Sequence, residues 1–380
     1  KKITNDQIMD LLKGREGTAV KLGLYRDGKT IHKKVIRGSI PVESVTAAYM
    51  IDKEIGFIKI ERFSLETARE FRFASFNLKQ KGMKKLVIDL RNNGGGILTG
   101  ATDIADEFLR ANIPIVETRG EHSGKYVYKS TANGSLKDVK VAVLINSNSA
   151  SASEILAGAL QDNDRGTIVG RRSFGKGLVQ EDMPLRDGSN LRLTVARYYT
   201  PTGRCIQKPY SEDLDEYYGD QMERADNGEM YHIDTTLFID SLKFKTPKGK
   251  IVYGGGGIMP DIFVPYDSTG NSWYLAELRF SPAFTTFAFD FVQGKRSKWK
   301  SPSQFAQSFQ VTDQILEAFM LFAQKEYGIK INRSEMKVSK KLVQQHLKSE
   351  IARQLWIEEG FYEVNNLQDV EVQRAIKSLR

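Results

Sequence analysis

The sequence has 380 residues, of which 40% are hydrophobic and 27% charged, ordinary proportions for a globular protein of two or three domains. Its single cysteine, Cys205, excludes an internal disulfide and a multi-cysteine zinc cage, and its four scattered histidines do not predict a metal site. No apolar run approaches the roughly 18 to 20 residues of a membrane span, and the net charge of +9 comes without a basic segment rich in stacking aromatic residues. We therefore expect no metal, no stable membrane insertion and no nucleic-acid partner.

The first forty residues predict a helix followed by a hairpin. The helix ends at Gly14, and apolar and polar residues then alternate over residues 20–24. Asp27-Gly28 supplies the turn to a second extended run. This segment is too short to bury a core alone, so we interpret it as the end of a small domain.

From about residue 41 the pattern changes to alternating strands and helices. Nearly continuous apolar runs at residues 84–90 and 141–145 predict strands that are buried on both faces. This alternation predicts an α/β core of parallel strands and crossover helices. Residues 254–265 predict its last strand, and residues 271–380 carry the periodicity of an α-helical C-terminal domain.

A serine-rich segment follows the buried strand at residues 141–145. The sequence Ser151-Ala-Ser-Glu154 predicts a capping box at the start of a helix, and that role alone would explain it. A serine at a helix N-terminus is also well placed as a nucleophile, because the free N–H groups there stabilise developing negative charge. Both interpretations are compatible with the sequence.

A serine nucleophile needs a base, yet no histidine lies within fifty residues after Ser151 and no G-x-S-x-G motif surrounds it. A lysine can take this role if apolar surroundings keep its amine uncharged. Lys176 is the candidate, because glycines and then apolar residues flank it in the segment SFGKGL.

The same lysine invites comparison with a phosphate-binding loop of the form G-x-x-x-x-G-K-[ST]. Gly177 stands where the hydroxyl residue that holds Mg²⁺ should be, and residues 178–185 predict no sustained helix. The segment RNNGGG at residues 91–96 also fails the glycine templates, so nucleotide binding is disfavoured. Its consecutive glycines form either a plain tight turn or a loop that points a backbone N–H at a reacting carbonyl.

Five separated motifs resemble, in this order, the carboxyl-terminal processing (tail-specific) serine peptidases, which are PDZ-containing Ser–Lys proteases. The resemblance covers about residues 1–265 and implies a crotonase-like or Clp-protease-like α/β core without a cofactor. It divides the chain into an incomplete PDZ segment (1–38), a serine protease core (39–270) and a helical domain (271–380). The motifs are RFS…LVIDLRNNGGG, SASASEILAGALQD, VGRRSFGKGLVQ, YYTPTGR and GGGGIMPDIFVP.

The resemblance implies a catalytic role for three side chains. Ser151 would be the nucleophile, and Lys176 would be the general base. Gln180 would orient the amine of Lys176, which requires the segment KGLVQ to form one helix-like turn. In a straight strand, residues four positions apart lie about 13 Å from each other, and the assignment of Gln180 would fail.

The resemblance also implies an oxyanion hole built from backbone N–H groups. One would come from Ala152, and the other from Gly95 or, as a second choice, Gly96. For Asp162, which lies eleven residues after Ser151 and has a supporting role in some family members, we expect a structural role.

Taken together, the resemblance implies an ATP-independent serine endopeptidase that cleaves proteins near their C-termini through an acyl-enzyme. Its substrates would be proteins or peptides with apolar C-termini, and the family implies export to the periplasm of a bacterium. The helical tail could join copies into a homo-oligomer or merely cover the core. The alternative is an inactive pseudo-protease scaffold, or an apolar-ligand binder on the same fold, and the joint presence of serine, lysine and glutamine argues against it.

Overall fold

The computed structural model describes residues 3–26, 28–40, 42–209 and 214–380, and the chain divides into two compact units between Glu43 and Ser44. The first unit contains helix α1 (Asn5–Leu12) and an antiparallel hairpin of β1 (Ala19–Arg26) and β2 (Lys29–Ile36). The predicted helix and hairpin are confirmed, although Asp27 lies outside the described residues. The unit ends five residues beyond the predicted boundary at residue 38, and its identity as part of a PDZ domain stays a prediction.

The second unit combines several sheets with ten described helices. The strands are β3 (Val45–Met50), β4 (Ile55–Ile60), β5 (Lys85–Asp89), β6 (Pro114–Gly120), β7 (Gly124–Lys129), β8 (Lys140–Ile145), β9 (Gly166–Gly170), β10 (Leu178–Pro184), β11 (Asn190–Tyr199), β12 (Lys243–Lys245), β13 (Ile251–Tyr253) and β14 (Ile262–Phe263). The helices are α2 (Thr67–Gln80), α3 (Leu98–Asp106), α4 (Ala152–Asp162), α5 (Leu214–Asp226), α6 (Trp273–Phe280), α7 (Ala283–Phe291), α8 (Pro302–Ser308), α9 (Asp313–Tyr327), α10 (Arg333–Asn365) and α11 (Val370–Leu379).

A six-stranded sheet forms the centre of this unit, in the order β14-β9-β8-β5-β4-β3. All neighbouring pairs are parallel except β3 with β4, and β5 and β8 are the apolar runs that predicted buried strands. The predicted parallel α/β core is therefore confirmed. A second, antiparallel sheet has the order β10-β11-β6-β7, and β12 and β13 form a small ribbon.

Helices cover both faces of the six-stranded sheet. Leu86 and Ile88 of β5 point into a cluster with side chains of α2, α3 and α4, whereas Val87 points to the other face. There it meets Val372 and Ile376 of α11, as the two-residue period of a strand requires. The strands are thus buried on both faces because the end of the chain returns to complete the core.

The helical content predicted for residues 271–380 is confirmed, and α6–α10 build an apolar cluster of their own. We expected a separate domain, but these helices belong to the same compact unit as the sheet. The physical reason is that α11, together with Tyr362 of α10, packs against the second face of the sheet. Within the described ranges, no helix combines the length and apolar character that crossing a membrane requires.

A fully buried ion pair fixes the C-terminal end of α4. The Asp162 carboxylate accepts a bond from Arg204 at 2.6 Å, and both side chains are 0% exposed. The same carboxylate accepts bonds from the N–H (3.1 Å) and hydroxyl (2.7 Å) of Thr202. Because eleven residues of α4 separate this pair from Ser151 by about 16 Å, these contacts give Asp162 the structural role that we expected.

Replacing one partner of this pair should destabilise the fold. Asp162→Asn leaves the Arg204 charge buried without its counter-charge, so we expect the free energy of unfolding to fall by about 3 kcal/mol. Urea denaturation measures this difference. Glu317→Gln, which breaks the solvent-exposed pair with Arg333, is the control and should have a much smaller effect because water screens both charges. Equal losses in the two variants would contradict the prediction.

Candidate active site

Three neighbouring parallel strands deliver the candidate residues at their carboxyl ends. The glycine loop (residues 91–96) follows β5, the serine segment (146–151) follows β8, and the lysine loop (171–177) follows β9. Because β5, β8 and β9 are adjacent and parallel, the three segments meet at one edge of the sheet.

Of the serines at positions 149, 151 and 153, only Ser151 lines a cavity at this edge. Ser149 and Ser153 are fully buried, and their hydroxyls donate to the carbonyl oxygens of Leu90 (2.8 Å) and Asn93 (2.9 Å). Ser151 is only partly buried and lines a cavity of about 610 Å³, which we call the site cavity. Of the three, Ser151 is therefore the one that can meet a substrate. The site cavity is also lined by Gly95, Gly96, Lys176 and Gln180.

The backbone at Ser151 has an unusual conformation. Its φ of 56° and ψ of −114° place a residue with a side chain in a sparsely populated region. Such a conformation costs on the order of 1–3 kcal/mol and persists only where surrounding contacts hold it. Strained residues of this kind cluster at functional sites, and the sequence gives no signal for this one.

The carboxylate of Glu154 holds the serine segment and the lysine loop together. The predicted capping box is present, with the Ser151 N–H donating to Glu154 Oε2 at 2.8 Å. The same oxygen accepts the Lys176 N–H (2.9 Å), and Oε1 accepts the Ser173 hydroxyl (2.5 Å) and the Gly175 N–H (2.7 Å). Burial raises the pKa of Glu154, and these four hydrogen bonds act in the opposite direction. Lys176 has no acidic neighbour along the chain, but in space its backbone contacts one.

Tyr198, the first tyrosine of the YYTPTGR motif, makes a further link. Its hydroxyl lies within hydrogen-bonding reach of the carbonyl oxygens of Ser151 (3.0 Å) and Lys176, and its own N–H donates to the Gly177 carbonyl. Sequence reasoning quoted this motif for the resemblance but assigned the tyrosine no role.

Both glycines beside Lys176 are required by the geometry of the loop. Gly175 has a φ of 90°, which favours glycine. A Cβ on Gly177 would lie 2.9 Å from the backbone nitrogen of Gln207, whose side chain accepts the Gly177 N–H. Lys176 is half-buried, and among the described residues no hydrogen bond joins its amine to the hydroxyl of Ser151. Such contacts in unliganded enzymes commonly tighten only when substrate binds.

The segment that contains Gln180 does not form the helix-like turn that we required. Leu178–Pro184 is strand β10, and pairing with β11 gives it an extended backbone. The condition of a helix-like turn is therefore not met, but the strand is not straight either, because a β-bulge lies between Val179 and Gln180. Gln180 is exposed and lines the site cavity together with Lys176, so its role stays a prediction.

The glycine loop lies directly against the start of α4. A Cβ on Gly95 would be 2.7 Å from the Ser151 Cβ and 2.9 Å from the Ala152 nitrogen, so only glycine fits there. Ala152 is the first residue of α4, so its N–H is one of the donors that a helix leaves without an internal acceptor. Gly96 lies instead against the carbonyl of Phe63.

Asn93 is a residue of this loop that sequence reasoning missed. It is fully buried, and its side chain donates to the Ile60 carbonyl (2.9 Å) and accepts the Gly95 N–H (2.8 Å). While it makes that bond, the Gly95 N–H cannot bind an oxyanion. Gly95 thus has the predicted position, and its use as a donor requires this hydrogen bond to open.

Two long ranges of the chain match known families, and the first of them contains all three segments of the candidate site. Residues 54–214 match the model described as Peptidase family S41, which confirms the resemblance predicted from the motifs. Residues 274–357 match a family of unknown function (DUF8443).

Similar proteins come from bacteria. A "Carboxy-terminal-processing protease" of Bartonella bacilliformis is 40% identical over 211 residues, which cover 54% of this chain and 48% of the relative. The "Carboxy-terminal processing protease CtpB" of Bacillus subtilis is 37% identical over 201 residues, or 52% and 42% of the two chains. The matched part thus spans about half the length of these relatives or less. The solved structure of a "Photosystem II D1 C-terminal processing protease" is 26% identical, with a TM-score of 0.41, over 68% of this chain and 58% of that chain.

Glu154→Gln should disrupt the link between the serine segment and the lysine loop. A glutamine replaces one acceptor oxygen by an NH₂ group, which leaves two buried donors without an acceptor at about 1–3 kcal/mol each. We expect a lower melting temperature and much slower labelling of Ser151 by a serine-reactive phosphonate.

The matched control is Glu107→Gln, because Glu107 is also a buried carboxylate that accepts bonds, from Ser135 and Arg72. It should lower stability without slowing the labelling. The prediction is contradicted if both variants label at the same rate as the unmodified protein.

Proposed function

We propose that the protein is a serine endopeptidase that cleaves proteins near their C-termini, with Ser151 as nucleophile and Lys176 as general base. The observation that carries this proposal is the carboxylate of Glu154, which accepts four hydrogen bonds. These bonds connect Ser151, which lines the site cavity, to the lysine loop. The match of residues 54–214 to the model of Peptidase family S41 supports the reaction class.

The reaction would proceed in two halves. Lys176 takes the proton from the Ser151 hydroxyl, and the serine oxygen attacks the carbonyl carbon of the scissile bond. The amine product leaves with a proton from Lys176. A water molecule, deprotonated by the same lysine, then attacks the acyl-enzyme and releases the second product with regeneration of Ser151.

Two backbone donors would stabilise the negative charge that forms on the carbonyl oxygen. The Ala152 N–H would donate a hydrogen bond, and the positive end of the α4 dipole would stabilise the same charge. The Gly95 N–H becomes the second donor when its bond to Asn93 opens. Gln180 would orient the amine of Lys176 from β10 across the site cavity.

The space around Lys176 suits an extended polypeptide. A second cavity of about 1000 Å³ shares Gly94, Lys176 and Gln180 with the site cavity and continues along β11. We propose proteins or peptides with apolar C-termini as substrates. Export and assembly into homo-oligomers stay predictions. The names of the bacterial relatives support the processing of C-termini.

The mechanism predicts that Ser151→Ala and Lys176→Ala each reduce cleavage at least about a thousandfold, because the two residues act as a unit. Cleavage of an unfolded protein with an apolar C-terminus, followed by mass spectrometry, measures the rate. Ser301→Ala is the matched control, since Ser301 also begins a helix but lies outside the site. Persistent cleavage by Ser151→Ala would refute the mechanism, and an inactive unmodified protein would favour the binding scaffold.

The role of Gln180 has a separate test. If its amide orients the lysine amine, Gln180→Ala should lower kcat on the order of tenfold to a hundredfold with little change in KM. Glu181→Ala, which changes the adjacent exposed residue of β10, serves as the control. Equal kcat values for the two variants would remove Gln180 from the site.

A further inference from the structure

A cluster of charged side chains lies where α11 meets the six-stranded sheet, outside the site cavity. We call it the ionic cluster, and it lines a cavity of about 480 Å³. Three of its members are cationic and three are anionic, so its formal charges balance. They are Lys59, Arg91, Arg171, Asp89, Asp369 and Glu371.

Glu371, in the first turn of α11, joins two arginines of this cluster. Its Oε2 accepts a bond from Arg91 Nη1 at 2.7 Å, and its Oε1 accepts one from Arg171 Nη1. The side chains are 10%, 15% and 14% exposed, so solvent screens these pairs only weakly.

These two arginines are the first residues of two loops of the candidate site. Arg91 begins the glycine loop and stands four positions before Gly95. Arg171 begins the lysine loop and stands five positions before Lys176. One carboxylate near the end of the chain thus fixes the starting points of both loops relative to each other.

The starting point of the glycine loop is rigidly held. The Arg91 side chain binds the buried Asp89 carboxylate (2.6 Å), and its backbone N–H donates to the same group (2.9 Å). Burial alone would raise the pKa of Asp89, yet Arg91 and Lys59 hold it below its usual range. A shift of the Arg91 side chain would therefore move the backbone that leads into the loop.

The helix that carries Glu371 is equally well fixed. Val372 and Ile376 pack against the sheet, and Asp369 caps the helix by accepting the Val372 N–H (3.0 Å). Asp369 also accepts a bond from Arg91 at 2.8 Å. Arg171 has weaker contacts apart from Glu371. Its Nη1 donates to the Val264 carbonyl oxygen at 3.2 Å, and its guanidinium carbon lies 5.9 Å from the centre of the Tyr266 ring.

We propose that Glu371 is a positioning residue, which sets the glycine loop and the lysine loop in register for catalysis through Arg91 and Arg171. This inference rests on the proposed function. Removal of the Glu371 charge leaves an excess positive charge in the ionic cluster, which is largely buried. Because a buried charge without a counter-charge is unfavourable, the Arg171 side chain moves toward solvent. The lysine loop then loses its fixed starting point.

Glu371→Gln tests this role, because it removes the charge and keeps the size of the side chain. We expect kcat for cleavage to fall about tenfold, since small misplacements of catalytic groups are costly, with KM changed less than about twofold. In hydrogen–deuterium exchange, residues 171–177 should exchange faster, while residues 91–96, which Asp89 and Asp369 still hold through Arg91, keep their protection together with β5 and β8.

The matched control is Glu350→Gln, because Glu350 is a buried carboxylate of α10 that pairs with Arg353 and lies outside the ionic cluster. It should lower the melting temperature but leave kcat and the exchange of both loops unchanged. If Glu371→Gln behaves in the same way, the positioning role is overturned. Hydrogen–deuterium exchange can be measured without catalysis. If the unmodified protein has no proteolytic activity, the proposed function is contradicted, but the exchange of the loops still shows whether Glu371 positions them.

Discussion

The geometry of the candidate site depends on the burial of one acid. A carboxylate that is removed from water must find hydrogen-bond donors within the protein, and Glu154 finds four. Its donors come from the serine segment on one side and the lysine loop on the other. The unusual backbone of Ser151 brings its N–H to this carboxylate, and the bonds offset the strain of that conformation.

The sequence predicts those parts of the structure that depend on local pattern. Continuous apolar runs identify β5 and β8 because strands buried on both faces need no alternation. The S-x-x-E pattern identifies the start of α4, since a capping box spans only four residues. The roles that the resemblance gives Ser151, Lys176 and Gly95 imply that their segments converge, and the adjacent parallel strands β5, β8 and β9 bring them to one edge of the sheet.

The remaining features depend on contacts between distant residues, on which local pattern is silent. From the sequence, Glu154 is predicted only as a helix cap. In the structure its carboxylate also accepts hydrogen bonds from the lysine loop, about twenty residues further along the chain. The role that the resemblance gives Gln180 requires a helical turn from Lys176, but pairing of β10 with β11 determines an extended backbone, as the composition of the segment suggests. The contact between Arg91 and Glu371 spans 280 positions, so no spacing rule could reveal it.

The position of α11 has a consequence for biosynthesis. A ribosome releases a chain from its N-terminus onward, and most of the central sheet emerges long before residues 370–379. Until those residues arrive, one face of the sheet lacks its cover, and the two arginines lack their shared carboxylate. A nascent chain would thus contain the Ser151 segment and the lysine loop before it contains the carboxylate that contacts both Arg91 and Arg171. The order of synthesis would therefore delay the final arrangement of the two loops until α11 has docked on the sheet.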